Sequence, residues 1–574
     1  MDGKKKTGKH FRLDNRCLKK GLFEFYQGET PVKKRLLSGL LAVLLLMGTL
    51  GTFSGCSSET TLTYDLPGTP ATLDPQSAND PYAFTVINEI FEGLTRVQED
   101  GSIGLGAAES YQVSQDQLTY TFTLKEGLHW SNGYSCTAND FVFAFRRLLN
   151  PRTKSQTAHN FYCIKNASAV AAGTMDVDQL GVYANSDTEL VIQLERPNAF
   201  LLELLSTAPA MPCNEQFFNE TKGEYGLKGA ALISNSAYQA DKWIVDSYIK
   251  LVPNDRYYDQ DQIHLTSMIF WLCYSDTPAE GETQSEILTR FYDGDSAAYT
   301  CSGKPDQGLF DGSYQITTHP NTVWGLTFNQ HSTDAVKQQI LNNQDFRLAI
   351  ANCFDRSRYQ DLLPEYLTVT DTIIPPGVSI DNTSYREQAG EMKVYGLDSS
   401  AAKSHYQAML NATGVQQVTG LRVLIPENDS VANEQYFGYL SQVIQRELNL
   451  YLTIETADQE DFESRLASGD YDMAILPLEA DFDHPVSILE DFQSGSAENY
   501  TGYSDSTLDH YLDQLYRGSE GEAGLCKLAE QHLLDSGIFL PLYYQTSYLA
   551  VDKSVSGVFL NPQNGAVDFR YAKF

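Results

Sequence analysis

Leu118-Thr-Tyr-Thr-Phe-Thr-Leu-Lys-Glu-Gly-Leu-His-Trp-Ser-Asn-Gly133, followed shortly by Thr137-Ala-Asn-Asp-Phe141, is the stretch from which the fold class can be read. Leu118, Tyr120, Phe122 and Leu124 alternate with three threonines, so one face is apolar and the other polar, the pattern of a half-buried strand. Asn132-Gly133 is a turn signal. Thr137 with Asp140 three positions on has the form of a helix N-cap, and that helix runs from Phe141 to Leu149, where Asn150-Pro151 ends it. The alternation of strand and helix continues outward. Thr61 to Leu66 reads as a strand and Pro67 to Pro75 as a loop. Ala83 to Leu94 carries Val86, Ile87, Ile90, Phe91 and Leu94 at helical spacing, and Ser236 to Val252 holds two strand-like runs around Trp243. Asp345 to Asp355 reads as a helix with Phe346, Ala349, Ile350 and Cys353 inward. Such alternation along the whole chain predicts an α/β protein.

A chain of 574 residues is too long for one core, since single cores stop growing at roughly 250 to 300 residues, so two or three lobes are expected. With 42% hydrophobic and 11% aromatic residues there is enough apolar material for packed domains. Of the 41 basic and 74 acidic residues, 11 and 4 lie in the first 55, leaving 30 and 70 beyond. A body so acidic repels phosphate backbones, which excludes nucleic acid as a partner. Nine cysteines become seven once Cys17 and Cys56 are set aside, and their spacing matches neither a disulfide scaffold nor a zinc site, so small buried hydrophobes with at most one bridged pair are expected. No metal or cofactor site is expected. No His-Glu-x-x-His, no phosphate-binding Gly-x-x-x-x-Gly-Lys and no Gly-x-Ser-x-Gly occurs, and the ten histidines are scattered singly, so no catalytic residues can be named. Gly101-Ser-Ile-Gly-Leu-Gly106 reads as a loop.

Pro31-Val-Lys-Lys-Arg35, the apolar run from Leu36 to Phe53, and Ser54-Gly55 before Cys56 have the order of an export signal: basic head, apolar core, small residues before a cut. Residues 1–55 are assigned to it. The end resembles a bacterial lipobox, in which Cys56 receives the lipid and becomes the mature N-terminus, with residues 56–60 as the tether. The mixed polar segment 1–31 is unusual ahead of such a head, and the signal is regular if Val32 is the initiator. The expected location is the outer face of the bacterial cytoplasmic membrane.

Several stretches together resemble the oligopeptide-, dipeptide- and nickel-binding family of ABC-transporter solute-binding proteins, family 5, in its lipoprotein form. They are Thr72-Leu-Asp-Pro75 with Ile90-Phe-Glu-Gly-Leu94, the opening stretch above, Ser234-Asn-Ser-Ala-Tyr238 with Trp243 and Asn254-Asp-Arg-Tyr-Tyr258, Phe346 to Ile350 with Asp355-Arg356, Ile374-Pro-Pro-Gly377, Gly469 to Met473, and Pro541-Leu-Tyr543. Ser236 stands where the family has glycine. The resemblance implies an α/β, two-lobed periplasmic-binding-protein type II-like fold with an extra inserted domain and a ligand cleft between lobes. Lobe I is then expected at 61–91, 216–322 and 544–574, the insert at 92–215 and lobe II at 323–543. It also implies a monomer that captures peptides and hands them to ABC permease subunits and, through them, the ATPase, held to the membrane by its lipid.

One stretch gives a site. Asp461 to Leu466 reads as a helix ended by Gly469-Asp470, and Tyr471 to Leu478 as a buried strand running into Glu479-Ala-Asp-Phe-Asp-His-Pro485. Ligands in open α/β sheets sit outside the carboxyl ends of strands, which puts Asp481 at a crevice mouth. In the resembling family a small residue here precedes an aspartate that binds the peptide ammonium, and Ala480-Asp481 matches. Asp481 is the expected anchor, and Asp483 the expected cap of the helix beginning near Pro485. Leu476-Pro-Leu478 departs from the aromatic usual before the aspartate. Phe161, Tyr162 and Trp243 read as core. The alternatives are the same fold holding a nickel chelate, a sugar or a signalling peptide, a lipoprotein hydrolase, which lacks a motif, and a scaffold that no longer binds.

Overall fold

Thr61–Asp65 is a strand, as its alternation predicts, and pairs in parallel with Ser267–Trp271. Ser267–Trp271 pairs on its other side with Tyr248–Pro253, the second arm of a hairpin whose first arm, Tyr238–Ile244, contains Trp243. This sheet is four-stranded. The computed structural model describes residues 60–278, 284–364, 366–427, 430–496 and 498–574, with the side chains of 430–435 left aside. The expected export signal and Cys56 lie outside the described residues.

A second four-stranded sheet, wholly antiparallel, contains the opening stretch. Thr119–Leu124 sits between Ala108–Val113 and Glu189–Gln193, with Tyr120, Phe122 and Leu124 buried and the threonines turned outward. The following helix, Ala138–Leu148, is capped as expected: the Asp140 carboxylate accepts the Thr137 N–H at 2.7 Å. The expected loop at Gly101 to Gly106 instead holds a short strand, Ile103–Leu105, paired with Thr95–Val97. Backbone pairing satisfied there what glycine content alone suggested was irregular. The expected helix from Asp345 to Asp355 spans Gln344–Ala351, and Asp355 caps the next one, Arg356–Gln360.

The third sheet is seven-stranded and mixed. Leu421–Pro426, Leu452–Ala457 and Met473–Glu479 are parallel strands joined by the helices Ser430–Leu448 and Gln459–Ser468, a βαβαβ unit with Leu421–Pro426 in the middle. Asp458 caps the second helix by accepting the Asp461 N–H at 2.9 Å, Phe462 and Leu466 bury one face, and Gly469 ends it at φ 71°. That left-handed conformation is the one glycine adopts without a Cβ penalty. Met473 to Leu476 are buried without alternation, as in a strand covered on both faces. Beside Met473–Glu479 run two long antiparallel strands, Tyr314–Phe328 and Phe539–Asp552, with register shifts at Pro320/Thr322 and Trp324/Gly325. The half of Tyr314–Phe328 before Asn321 is exposed or half-buried and the half from Thr322 on is buried, so this strand passes from a surface setting into the core.

The stretches that carry the family resemblance turn out to join elements. Asp74 and Arg147 form a buried bidentate pair, at 3.1 and 2.5 Å, between the loop before the helix Pro81–Ile90 and the helix Ala138–Leu148. Arg147 also lies 4.0 Å over the Phe218 ring. Buried Glu92 accepts from the Tyr257 and Tyr258 hydroxyls at 2.7 and 2.8 Å and from Arg96 at 3.0 Å. Buried Glu530 accepts the Ile373 and Ile374 N–H groups at 2.9 and 3.0 Å and the Tyr385 hydroxyl at 2.9 Å, and pairs with Arg386. It fixes the loop Ile374-Pro-Pro-Gly377, whose Gly377 N–H donates to the Pro320 carbonyl of the long strand at 2.8 Å.

Candidate functional site

The strand Met473–Glu479 delivers Ala480 and Asp481 to the carboxyl end of the parallel unit. The Asp481 N–H donates to the buried Ser487 Oγ at 3.0 Å, which pins the backbone of the turn and leaves the carboxylate free of it. Its side chain is 43% exposed. Three cavities, of about 260, 630 and 460 Å3, meet at Asp481. Ala480 lines the first, together with Asn79, Phe84, His319, Asn321 and Gly377. Leu476, Pro477 and Leu478 line the second, where a larger aromatic would narrow it.

The opposite wall comes from the short helical turn Ala158–Phe161, next to the antiparallel sheet. His159 Nε2 stands 3.6 Å from the Asp481 carboxylate and its Nδ1 3.6 Å from Glu498, ion-pair distances that are long for hydrogen bonds. Its Nδ1 also lies 2.9 Å from the Gln156 carbonyl. Burial alone lowers the His159 pKa, but the partners Asp481 and Glu498 outweigh it and the net shift is upward. His319, in the first cavity, goes the other way: burial dominates over Asp483, and its pKa falls. Beyond Asp481, Glu490 is pushed to about 7, by burial foremost and by Asp481 among its neighbours, although the Tyr516 hydroxyl donates to it. Asp491 rises well above the carboxylate range, through burial and then through Asp481, Glu490 and Glu498.

Asp483 does not cap the helix Pro485–Leu489. His484 does, its Nδ1 accepting the Val486 N–H at 3.0 Å. Asp483 instead accepts the Ser379 N–H at 2.8 Å and the Ser379 hydroxyl, tying the turn to the segment after Gly377. A histidine tautomer can do what an Asp cap does, and Asp483 was needed for a contact distant in sequence. Phe482 and His484 pack on Phe200 at ring distances of 5.7 and 4.3 Å. Phe161 is core, as read, while Tyr162 lines the third cavity. Trp243 is half-buried and packed against the core. His159, Asp491 and Glu498 carry no local signal in the sequence, since each is an isolated polar residue far from Asp481 or beyond the motif.

A parallel βαβαβ unit ending in a cleft, faced by a separate sheet, with a free carboxylate where three cavities meet, is the build of a two-lobed α/β solute-binding protein with an inserted domain. Comparison with known proteins agrees. The model of the bacterial extracellular solute-binding proteins, family 5 (middle region), matches residues 103–500, and the chain belongs to that family. It is 27% identical over 523 residues to the oligopeptide-binding protein OppA of Bacillus subtilis, covering 90% of this chain and 93% of that protein. To the dipeptide-binding protein of Lactococcus lactis it is 25% identical, covering 94% and 100%. The structure of Listeria monocytogenes OppA bound to peptide superposes with a TM-score of 0.69 at 23% identity, over 90% of this chain and 99% of that one. Among the described residues no helix is long and apolar enough to cross a membrane.

Proposed function

We propose that this protein is the extracellular peptide-capturing subunit of an ABC importer, that Asp481 holds the peptide's α-ammonium with Ala480 beside it, and that the chain is tethered to the membrane through lipid on Cys56. The carrying observation is the Asp481 carboxylate, half open at the junction of three cavities, with its backbone fixed by Ser487 and the His159 imidazole 3.6 Å from it. A carboxylate in such a place forms a charge-assisted hydrogen bond with an ammonium, about twice as strong as a neutral one. The cavities give an extended peptide room beyond its first residue, and backbone pairing gives affinity without reading side chains. The relatives named for oligopeptides and dipeptides support the same ligand class. In this reading the protein acts as a monomeric carrier that delivers peptide to permease subunits coupled to an ATPase.

The lobes are assigned as lobe I at 61–91, 216–322 and 544–574, an insert at 92–215, and lobe II at 323–543. The register shift at Pro320/Thr322 and the change from exposed to buried along Tyr314–Phe328 support a hinge at the 322/323 and 543/544 crossings. The test is calorimetry of the protein from Ser57 onward with di- to hexapeptides and their N-acetylated forms. Free peptides are expected to bind and acetylated ones to fail, and Asp481→Ala is expected to lose about 2 kcal/mol, roughly thirtyfold in Kd. No heat with any peptide would overturn the assignment.

A further inference from the structure

The cavity of about 630 Å3 beside Asp481 has an unusual lining. Trp324, Phe462 and the ring of Tyr500, whose hydroxyl donates to Glu498 at 3.1 Å, line it together with Asp491, Glu498 and Glu463, and none of its lining residues is lysine or arginine. Asp491 is the telling member. It follows the helix Pro485–Leu489 in the turn Glu490–Phe492, and makes no hydrogen bond or ion pair to any described residue. Its neighbour Glu490 is satisfied by the Tyr516 hydroxyl, with Arg196 4.4 Å over the Tyr516 ring. Asp491 lies deep in the protein yet keeps part of its surface open, and that surface lines both the 630 and the 460 Å3 cavities. A second unmet group lines the same space: Trp324 is 6% exposed and its Nε1 has no acceptor among the described residues. A buried polar group is ordinarily paired, so the unmet indole N–H beside a partly exposed carboxylate points to an occupant of this void.

We propose that this cavity takes the cationic side chain of a lysine or arginine close to the anchored amino terminus of the peptide, with Asp491 and Glu498 as its counter-ions and Trp324 and Tyr500 against its stem. The proposal rests on Asp481 as the ammonium anchor. An aliphatic side chain would seal Asp491 away from water with no partner, which is costly. A carboxylate side chain would add a like charge beside Asp481, Asp491 and Glu498. A long cationic side chain lays its methylene stem along aromatic walls and brings donors to the carboxylates, and an arginine also stacks on them.

The test compares Kd by calorimetry on the mature protein for tripeptides X-Ala-Ala and Ala-X-Ala, with X lysine, arginine, norleucine or glutamate, each with its N-acetylated form. In one of the two series, lysine and arginine are expected to bind about tenfold or more tighter than norleucine, and glutamate weakest. The lysine-to-norleucine ratio is expected to fall by about tenfold in Asp491→Asn. Glu498→Gln, whose side chain is 33% exposed, carries the same test should the deeper variant fail to fold. Equal affinity for lysine and norleucine in both series, or a ratio unchanged in the variants, overturns the cation pocket and leaves the anchor standing. Binding that survives acetylation, or no binding at all, removes the anchor and the pocket with it.

Discussion

His159 stands 3.6 Å from the carboxylate proposed to hold the ligand ammonium, so a charged imidazole there is a cation built into the chain at that carboxylate. Its pKa is raised in the folded chain from the ordinary 6.5, because Asp481 and Glu498 favour the charged imidazole more than burial opposes it. The stabilisation is therefore complete below pH 6.5 and is lost as pH rises through the folded value. An arriving ammonium competes with the imidazolium for the same carboxylate and expels part of its proton. Peptide affinity is thus expected to rise with pH through that folded value and to fall once the peptide amine itself deprotonates, near about pH 8. His159→Ala is expected to flatten the rising limb and keep the falling one, as read by Kd across that range. A rising limb that persists in the variant would place its origin elsewhere, with Asp491 or Glu490 next in line.

Among the elements, the loop Ile374-Pro-Pro-Gly377 shows how a short motif acts through its backbone. Glu530 accepts two successive N–H groups from its start, and Gly377 at its end donates to the Pro320 carbonyl on the long strand. A Cβ at Gly377 would come within 2.5 Å of that carbonyl oxygen, against backbone that cannot turn aside. Gly377→Ala is expected to lift the loop from the strand at a cost of about 1 to 3 kcal/mol, seen in urea unfolding, and to weaken peptide binding because Gly377 lines the first cavity. Glu530→Gln is expected to cost about as much or more, since it removes the charge facing Arg386 while the Ile373 and Ile374 donors stay buried.

Across the whole molecule, Asp74 and Arg147 hold the antiparallel-sheet unit to the loop before the helix Pro81–Ile90, and with it hold His159 opposite Asp481. Arg147→Met keeps the packing on Phe218 but strands the Asp74 carboxylate in the interior, so a loss of about 3 to 5 kcal/mol is expected in equilibrium unfolding. In the proposed division into lobes the paired strands Tyr314–Phe328 and Phe539–Asp552 cross from one lobe to the other, and closure over a ligand, a hinge motion, would bend them there. A peptide at a hundredfold its Kd should stabilise the closed protein by about 2.7 kcal/mol, raising Tm for free but not for acetylated peptide.

The sequence by itself determined the local elements and the position of Asp481 at the end of a buried strand. Period-two alternation at Thr119–Leu124, the cap at Thr137 and Asp140, and a buried strand running out at Asp481 are all set by near neighbours, and the family motifs were legible because they recur in order. The reading failed where partners lie far along the chain. Asp483 was drawn from a cap to Ser379, whereas the miss at Gly101 to Gly106 was local, a hairpin of Ile103–Leu105 with Thr95–Val97 too short to show alternation. The lining of the cleft belongs to the tertiary structure alone. His159 reaches Asp481 from the turn Ala158–Phe161 and Trp324 shares its cavity from a strand paired with Met473–Glu479, contacts between residues far apart in the chain that no periodicity encodes. Two of the motifs that carry the resemblance supply buried charges at joints, Asp74 to Arg147 and Glu92 to Tyr257, where an unpaired charge would be costly.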